Sequence, residues 1–172
     1  MPQMIFGQIL GFAATAATIL SYQANTQRRL MIGQCLATVF TCISYLLLGA
    51  DSGFVLNIVC LVRNVSFAIL KPDTIPMKVA APILSLAMIV FGIFSWQGPV
   101  SLLIMLGLAI NTIFLSLGKP QVLRYSILLT CSMILIYNVA VFSLGGILNE
   151  GFAIVSSVIG ILRYRNKNEK LG

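Results

Sequence analysis

Apolar residues in this chain come in long blocks broken by short polar punctuation, without the strict alternation of a half-buried strand. Seven runs stand out: about Met4 to Tyr22, Met31 to Gly49, Gly53 to Leu70, Val79 to Ser95, Val100 to Leu117, Val122 to Ser143 and Gly146 to Leu162. All except the sixth sit near the short end of the roughly 20 residues that a helix needs to cross a bilayer. The separators carry turn formers and charges: Asn25-Thr26-Gln27, Asp51-Ser52-Gly53, Lys71-Pro72-Asp73, Gln97-Gly98-Pro99, Gly118-Lys119-Pro120 and Gly145-Gly146. Prolines fall at termini, in loops or in first turns, Pro82 and Pro99 being read as first-turn residues. Helices are expected because they satisfy every backbone group internally in lipid. The fold expected is therefore all-α: one integral membrane domain, residues 1–172, of seven transmembrane helices.

Composition strengthens this reading. About 59% of the residues are hydrophobic and 9% are charged, with a mean hydropathy of +1.00, whereas soluble domains carry roughly 25% charge. The net charge of +7 first suggests nucleic acid, but its placement argues against that. Arg28 and Arg29 follow the first run, Lys71 and Lys78 the third, Lys119 and Arg124 the fifth, and Arg163, Arg165, Lys167 and Lys170 the seventh. The alternate connections hold no Lys or Arg. By the positive-inside rule this places the N-terminus outside and the C-terminus in the cytoplasm, with seven spans. The basic loops then face anionic headgroups, with the lipid bilayer and a small-molecule solute as partners, room for a homo-oligomer, and no nucleic acid. The first run lacks a basic residue ahead of it and makes a poor signal peptide. Its Gly7-x-x-x-Gly11 continues to Ala14 and Thr18 as a small-residue stripe suited to close helix packing.

The third run has a second copy. Shifted by about 92 positions, Gly53-x-x-Leu56-Asn57 falls on Gly145-x-x-Leu148-Asn149, Tyr45 on Tyr137 and Thr38 on Thr130. An odd span count with a three-helix repeat implies two triple-helix bundles, residues 4–71 and 99–165. A linker helix over 79–96 joins them, and a cytoplasmic tail covers 166–172. Both bundles start outside, so the repeats are parallel, related by an axis along the membrane normal.

Two resemblances follow. Gly7-Gln8-Ile9-Leu10-Gly11, Gln27-Arg28-Arg29, Tyr45-Leu46-Leu47-Leu48-Gly49, Arg63, Ser143-Leu144-Gly145-Gly146, Glu150-Gly151 and Arg163-Tyr164-Arg165 are similar to the YgjV-type bacterial inner-membrane protein family. At a greater distance, the 3+1+3 layout resembles the SWEET, PQ-loop and PnuC transporters. That resemblance implies a central path between the bundles and an asparagine on the third helix of each, for which Asn57, Asn64 and Asn149 are candidates. A proline hinge in the first helix of each bundle, also implied, is missing here.

Polar residues within the spans are the candidate site. Asn57 and Asn149 lie about 6 Å into their helices, and Arg63, Asn64 and Ser156 about 15 Å in, near the midplane. Thr15, Thr41, Asn111 and Ser132 reach comparable depth. Substrate contacts are expected from Asn57, Asn64, Asn149, Ser156, Asn111, Tyr45 and Tyr137, with Arg63 and Glu150 as intramembrane charges. Residues seven apart share a helix face, pairing Asn57 with Asn64 and Asn149 with Ser156, while Arg63 and Glu150 are turned about 100° from those faces. An intramembrane Arg costs roughly 2.5–3.5 kcal/mol on insertion scales and needs a partner or a wet cavity. Two accounts fit: Arg63 pairs with Glu150, or it reads an anionic solute. Pairing is preferred, because Arg63 turns from the Asn face and Glu150 is the one acid within the spans.

Cys35, Cys42, Cys60 and Cys131 lie in apolar runs without a C-x-x-C pair, and histidine is absent. No metal site, cofactor or nucleophile–base constellation is expected, and so no enzyme. A small-solute transporter or facilitator (of a sugar, vitamin precursor, amino acid or similar) is the leading reading. A non-transporting scaffold, receptor or assembly protein is the alternative, and a solvent-accessible midplane cavity discriminates the two.

Overall fold

The computed structural model describes residues 2–22, 27–70, 74–117 and 120–169. Among the described residues there are seven α-helices: α1 (Pro2–Tyr22), α2 (Gln27–Leu48), α3 (Asp51–Ile69), α4 (Ile75–Phe94), α5 (Val100–Ser116), α6 (Pro120–Ala140) and α7 (Leu144–Glu169). Five of them, α1 to α4 and α7, are long and apolar enough to cross a membrane, while the apolar parts of α5 and α6, Val100–Ser116 and Arg124–Ala140, are shorter. The polar separators at Asn25–Thr26, Lys71–Asp73 and Gly118–Lys119, with Lys170, lie outside the described residues.

Three boundaries differ from the sequence reading. α4 begins at Ile75, ahead of Val79, so Pro82 lies inside the helix and not in its first turn. There it removes one backbone hydrogen bond. α6 ends at Ala140, ahead of Ser143, because Phe142 takes a left-handed conformation, φ 54°. No glycine or proline marks that turn. α7 runs on as helix to Glu169, through most of what was expected to be a tail from 166.

The α2–α3 and α6–α7 turns are built alike. Gly49 (φ 70°) donates its N–H to the Leu46 carbonyl at 3.3 Å, and Ala50 donates to Tyr45 at 2.9 Å. In the second turn Phe142 donates to Val139 at 3.2 Å, and Ser143 to Asn138 at 2.9 Å. Both are Schellman closures, which satisfy the last carbonyls of a helix through a left-handed residue. A glutamine clasps each turn. The Gln97 amide donates to the Gly49 carbonyl and accepts from Ser52 N–H, at 3.0 and 3.1 Å. Gln8 donates to the Phe142 carbonyl and accepts from Leu144 N–H, at 2.5 and 3.0 Å.

Neighbouring helices pack in a ring, α1–α2–α3–α5–α6–α7 and back to α1, with α4 laid against α3 and α5. At the α1–α7 seam the expected small-residue stripe is used. A Cβ on Gly145 would stand 2.2 Å from the Gly11 carbonyl carbon, so these backbones meet directly. Thr15 Oγ1 crosses there to the Gly145 carbonyl at 2.8 Å. The α3–α5 seam is closed by a hydroxyl pair instead, Ser52 and Ser101, 2.9 Å apart, with Ser52 also donating to the Ser95 carbonyl.

Polarity is distributed inside out. Ile5, Leu36, Val62, Ile83, Leu129 and Val155 are exposed, while Thr38, Ser52, Arg63, Asn64, Thr112, Thr130 and Asn138 are buried. A globule in water does the reverse. Apolar side chains facing lipid lose nothing by exposure, whereas polar ones must find partners within the bundle. The four cysteines are free thiols, three of them buried.

Candidate functional site

α3 is the most enclosed of the five long helices, and the site is built outward from its inner face. Arg63 is 8% exposed. Its Nε and Nη2 both donate to Asn64 Oδ1, at 3.1 and 3.0 Å, and its Nη1 donates to Thr112 Oγ1 on α5 at 3.3 Å. Asn64 Nδ2 then donates to Thr38 Oγ1 on α2 at 3.0 Å, and Thr38 donates to the Gln34 carbonyl at 2.7 Å. Thr112 spends its own proton on the Leu108 carbonyl at 2.8 Å, which leaves its oxygen free to accept from Arg63. Every group in this relay is a correctly matched donor or acceptor, so one guanidinium ties α2, α3 and α5 together.

The relay borders a cavity of about 200 Å³ inside the ring. It runs from Tyr45, near the turns, to Met31 and Leu115, towards the other end. Asn57, Asn64, Asn111, Asn149, Tyr45, Arg63 and Glu150 all border it, as do Gln34, Thr38, Thr41, Cys60 and Cys131. Asn57 Nδ2 is used within its helix, on the Gly53 carbonyl at 2.9 Å, while Asn149 Nδ2 donates to Glu150 Oε1 at 3.1 Å. The Cys131 thiol borders the same cavity as Glu150. Thr15 borders a smaller cavity beside the α1–α7 seam, together with Glu150.

Four expectations are corrected. Arg63 does not turn away from the asparagine face: its long side chain folds onto Asn64, and both border the cavity. No ion pair joins it to Glu150, because Asn64 and Thr112 hold the guanidinium deeper in the ring. Ser156 lies on the exposed face of α7, and the buried hydroxyl is its neighbour Ser157. Asn149 sits at the edge of the inner face, and the drift of about 20° per seven residues carries Ser156 off it. Ser132 is likewise exposed, donating to the Leu128 carbonyl at 2.6 Å.

Tyr137 is buried, but it stands behind the cavity in its closure. Its ring meets Tyr45 edge to face, with centroids 6.0 Å apart and planes at 82°, and its hydroxyl accepts from Gly53 N–H at 2.8 Å. Tyr45 donates to Asn138 Oδ1 at 2.6 Å. Gly53 is required here, since a Cβ would come within 2.8 Å of the Tyr45 ring and 2.9 Å of the Tyr137 hydroxyl. Asn138 was not among the expected residues, and its Nδ2 is buried without a partner. The available signal was an amide beside Tyr137 in an otherwise apolar run. Thr112 and Cys131 were missed as well, because an isolated Thr or Cys in a membrane helix is usually a packing residue.

An apolar exterior around a polar, charge-bearing interior defines a polytopic helical membrane protein. The chain matches the Imp-YgjV family model, described as bacterial inner membrane protein, over residues 5–168, and it belongs to that family. No curated protein and no solved structure matches it significantly.

Proposed function

We propose that the protein is a small-solute facilitator of the bacterial inner membrane, moving its solute through the central cavity. The observation that carries this is a cavity of about 200 Å³ lined by amides, hydroxyls and two charges within the ring. Polar groups at such depth are expensive unless they serve one another or a wet path. Asn57, Asn111 and Glu150 keep unspent hydrogen-bonding capacity towards the cavity.

The facilitator is built as two parallel three-helix units, residues 4–71 and 99–165, with α4 as linker, all seven helices spanning the bilayer. The matching turns, glutamine clasps and seams support this. The hydrogen bonds of the two turns also favour an offset of 93 positions, which sets Asn138 against Tyr45, over the 92 read from identities. At 93, Gln34 pairs with Ile127, Thr38 with Cys131, Thr41 with Ile134, Asn57 with Glu150, Cys60 with Ala153 and Thr18 with Asn111, and every one of these borders the cavity. At 92, Asn57 with Asn149 is the one such pair. The basic asymmetry of the sequence puts the N-terminus in the periplasm and the turns at Gly49 and Phe142 on that side.

Solute access from both sides is the test. In a cysteine-free background carrying Asn111→Cys, a membrane-impermeant maleimide is expected to label the cavity from either face of the membrane. Labelling from one face alone, under all conditions, favours a receptor or scaffold. A C-terminal reporter active in the periplasm overturns the orientation.

A further inference from the structure

We propose that the cavity selects an extended zwitterion, its carboxylate held at Arg63 and its ammonium group at Glu150. The inference rests on the facilitator reading and names that site's solute class. Two formal charges of opposite sign border one cavity, and they are not paired with each other. Arg63 has five N–H donors, and the three bonds described above go to neutral oxygens, which leaves two donors for an occupant. The Glu150 carboxylate accepts from the neutral Asn149 amide, and no cation other than Arg63 lines the cavity among the described residues. A buried charge with neutral neighbours is poorly compensated, and an occupant carrying the counter-charge repairs both ends at once.

The spacing sets the length of that occupant. Ser52 and Ser101 touch, and Arg63 and Thr112 lie equally far along α3 and α5 from that contact and touch in turn, so the guanidinium stays at its own helical level. That level is about 16 Å below the serine pair. In the proposed repeat Gly145 is the counterpart of Ser52, and Glu150 lies about 7 Å beyond it. The two charges are thus separated by about 9 Å along the helices. An α-amino acid carries its charges on one carbon and cannot reach both. An ω-amino acid or a dipeptide can, with Ile104, Leu108 and Ile134 on the cavity wall to receive its methylenes.

Binding to the purified full-length protein in detergent, followed by calorimetry, separates the terms. The probes are 5-aminovalerate, pentanoate, pentylamine and alanine. 5-Aminovalerate is expected to bind at least about tenfold more tightly than each of the other three, one charge-assisted contact being enough for that factor. Glu150→Gln should lower 5-aminovalerate to the level of pentanoate while leaving pentanoate unchanged, and Arg63→Gln should lower it to the level of pentylamine. Pentanoate or alanine equalling 5-aminovalerate overturns the proposal, as does failure of all four to bind, or a Glu150→Gln loss equal for 5-aminovalerate and pentanoate. Should either variant not fold, the four probes on the unaltered protein decide. Tight 5-aminovalerate binding with one-sided maleimide labelling keeps the zwitterion site and removes the facilitator. Two-sided labelling with indifference to the probes does the opposite.

Discussion

α2 and α3 line the cavity mainly with hydroxyls, amides and a guanidinium, with the Cys60 thiol among them, whereas α6 and α7 line it with aliphatic side chains, the Cys131 thiol, one amide, Asn149, and a carboxylate. The α2–α3 and α6–α7 turns close alike, while the surfaces these helices turn inward differ. In the proposed repeat Thr38 corresponds to Cys131, Thr41 to Ile134 and Asn57 to Glu150, which makes the cavity more polar on one side than on the other. The seams diverge too: backbone against backbone at Gly11 and Gly145, hydroxyl against hydroxyl at Ser52 and Ser101.

The seams give the largest expected difference between the halves. Gly145→Val should destabilise the protein by about 3 kcal/mol or more, because backbone atoms of Gly11 cannot yield to the new side chain. Ser52→Ala at the equivalent position should cost about 1 kcal/mol. Thermal unfolding in detergent compares them, and equal losses would show that both seams tolerate a side chain alike. Next comes the closure. Tyr45→Phe removes the hydrogen bond to Asn138 Oδ1 and leaves both ends of a buried amide unsatisfied, at about 1–3 kcal/mol. Tyr137→Phe orphans one backbone N–H in the first turn of α3 and should cost less. The opposite ranking would mean that Gly53, not Asn138, is the group most in need of its tyrosine.

Gly151 is a smaller contrast. Its counterpart on α3 in the proposed repeat is Ile58, and a Cβ on Gly151 would meet nothing within 4 Å. Gly151→Ala should be neutral or stabilising by up to about 1 kcal/mol in the same unfolding assay, since a helical glycine carries excess chain entropy. A loss there would reveal a close neighbour such as a second copy of the chain. Smallest of all is the coupling between Arg63→Gln and Glu150→Gln in a double-mutant cycle on stability. It should fall within about 0.5 kcal/mol of zero, as expected for groups that share no contact. A coupling well above that restores the ion pair.

The helical class, the family and the cavity-facing asparagines were legible because lipid imposes a simple rule: long apolar runs, with polarity admitted where something inside needs it. Asn57, Asn64, Asn111 and Asn149 obey it. Helix ends were less legible where no special residue announces them, as at Phe142. The register of the proposed repeat is harder to read from letters alone. Tyr45 and Tyr137 are identical, yet the second turn holds one more residue after its tyrosine than the first, so judged by the turns Tyr45 corresponds to Asn138. The destination of Arg63 was illegible for another reason. Angular position on a helix describes where a side chain leaves the backbone, and a side chain as long as arginine's can return to a neighbour 100° away.

The ring has little standing above one of its faces. Gly49–Ala50 joins α2 to α3, Val141–Ser143 joins α6 to α7, and Ser95–Pro99 joins α4 to α5, with Gln97 reaching across to the first of these. Peptide links this short cannot swing aside by themselves. Any opening of the ring at that face has to turn the Tyr45–Tyr137 pair or break the Gln8 and Gln97 contacts, so the closure and the helix ends move together or not at all.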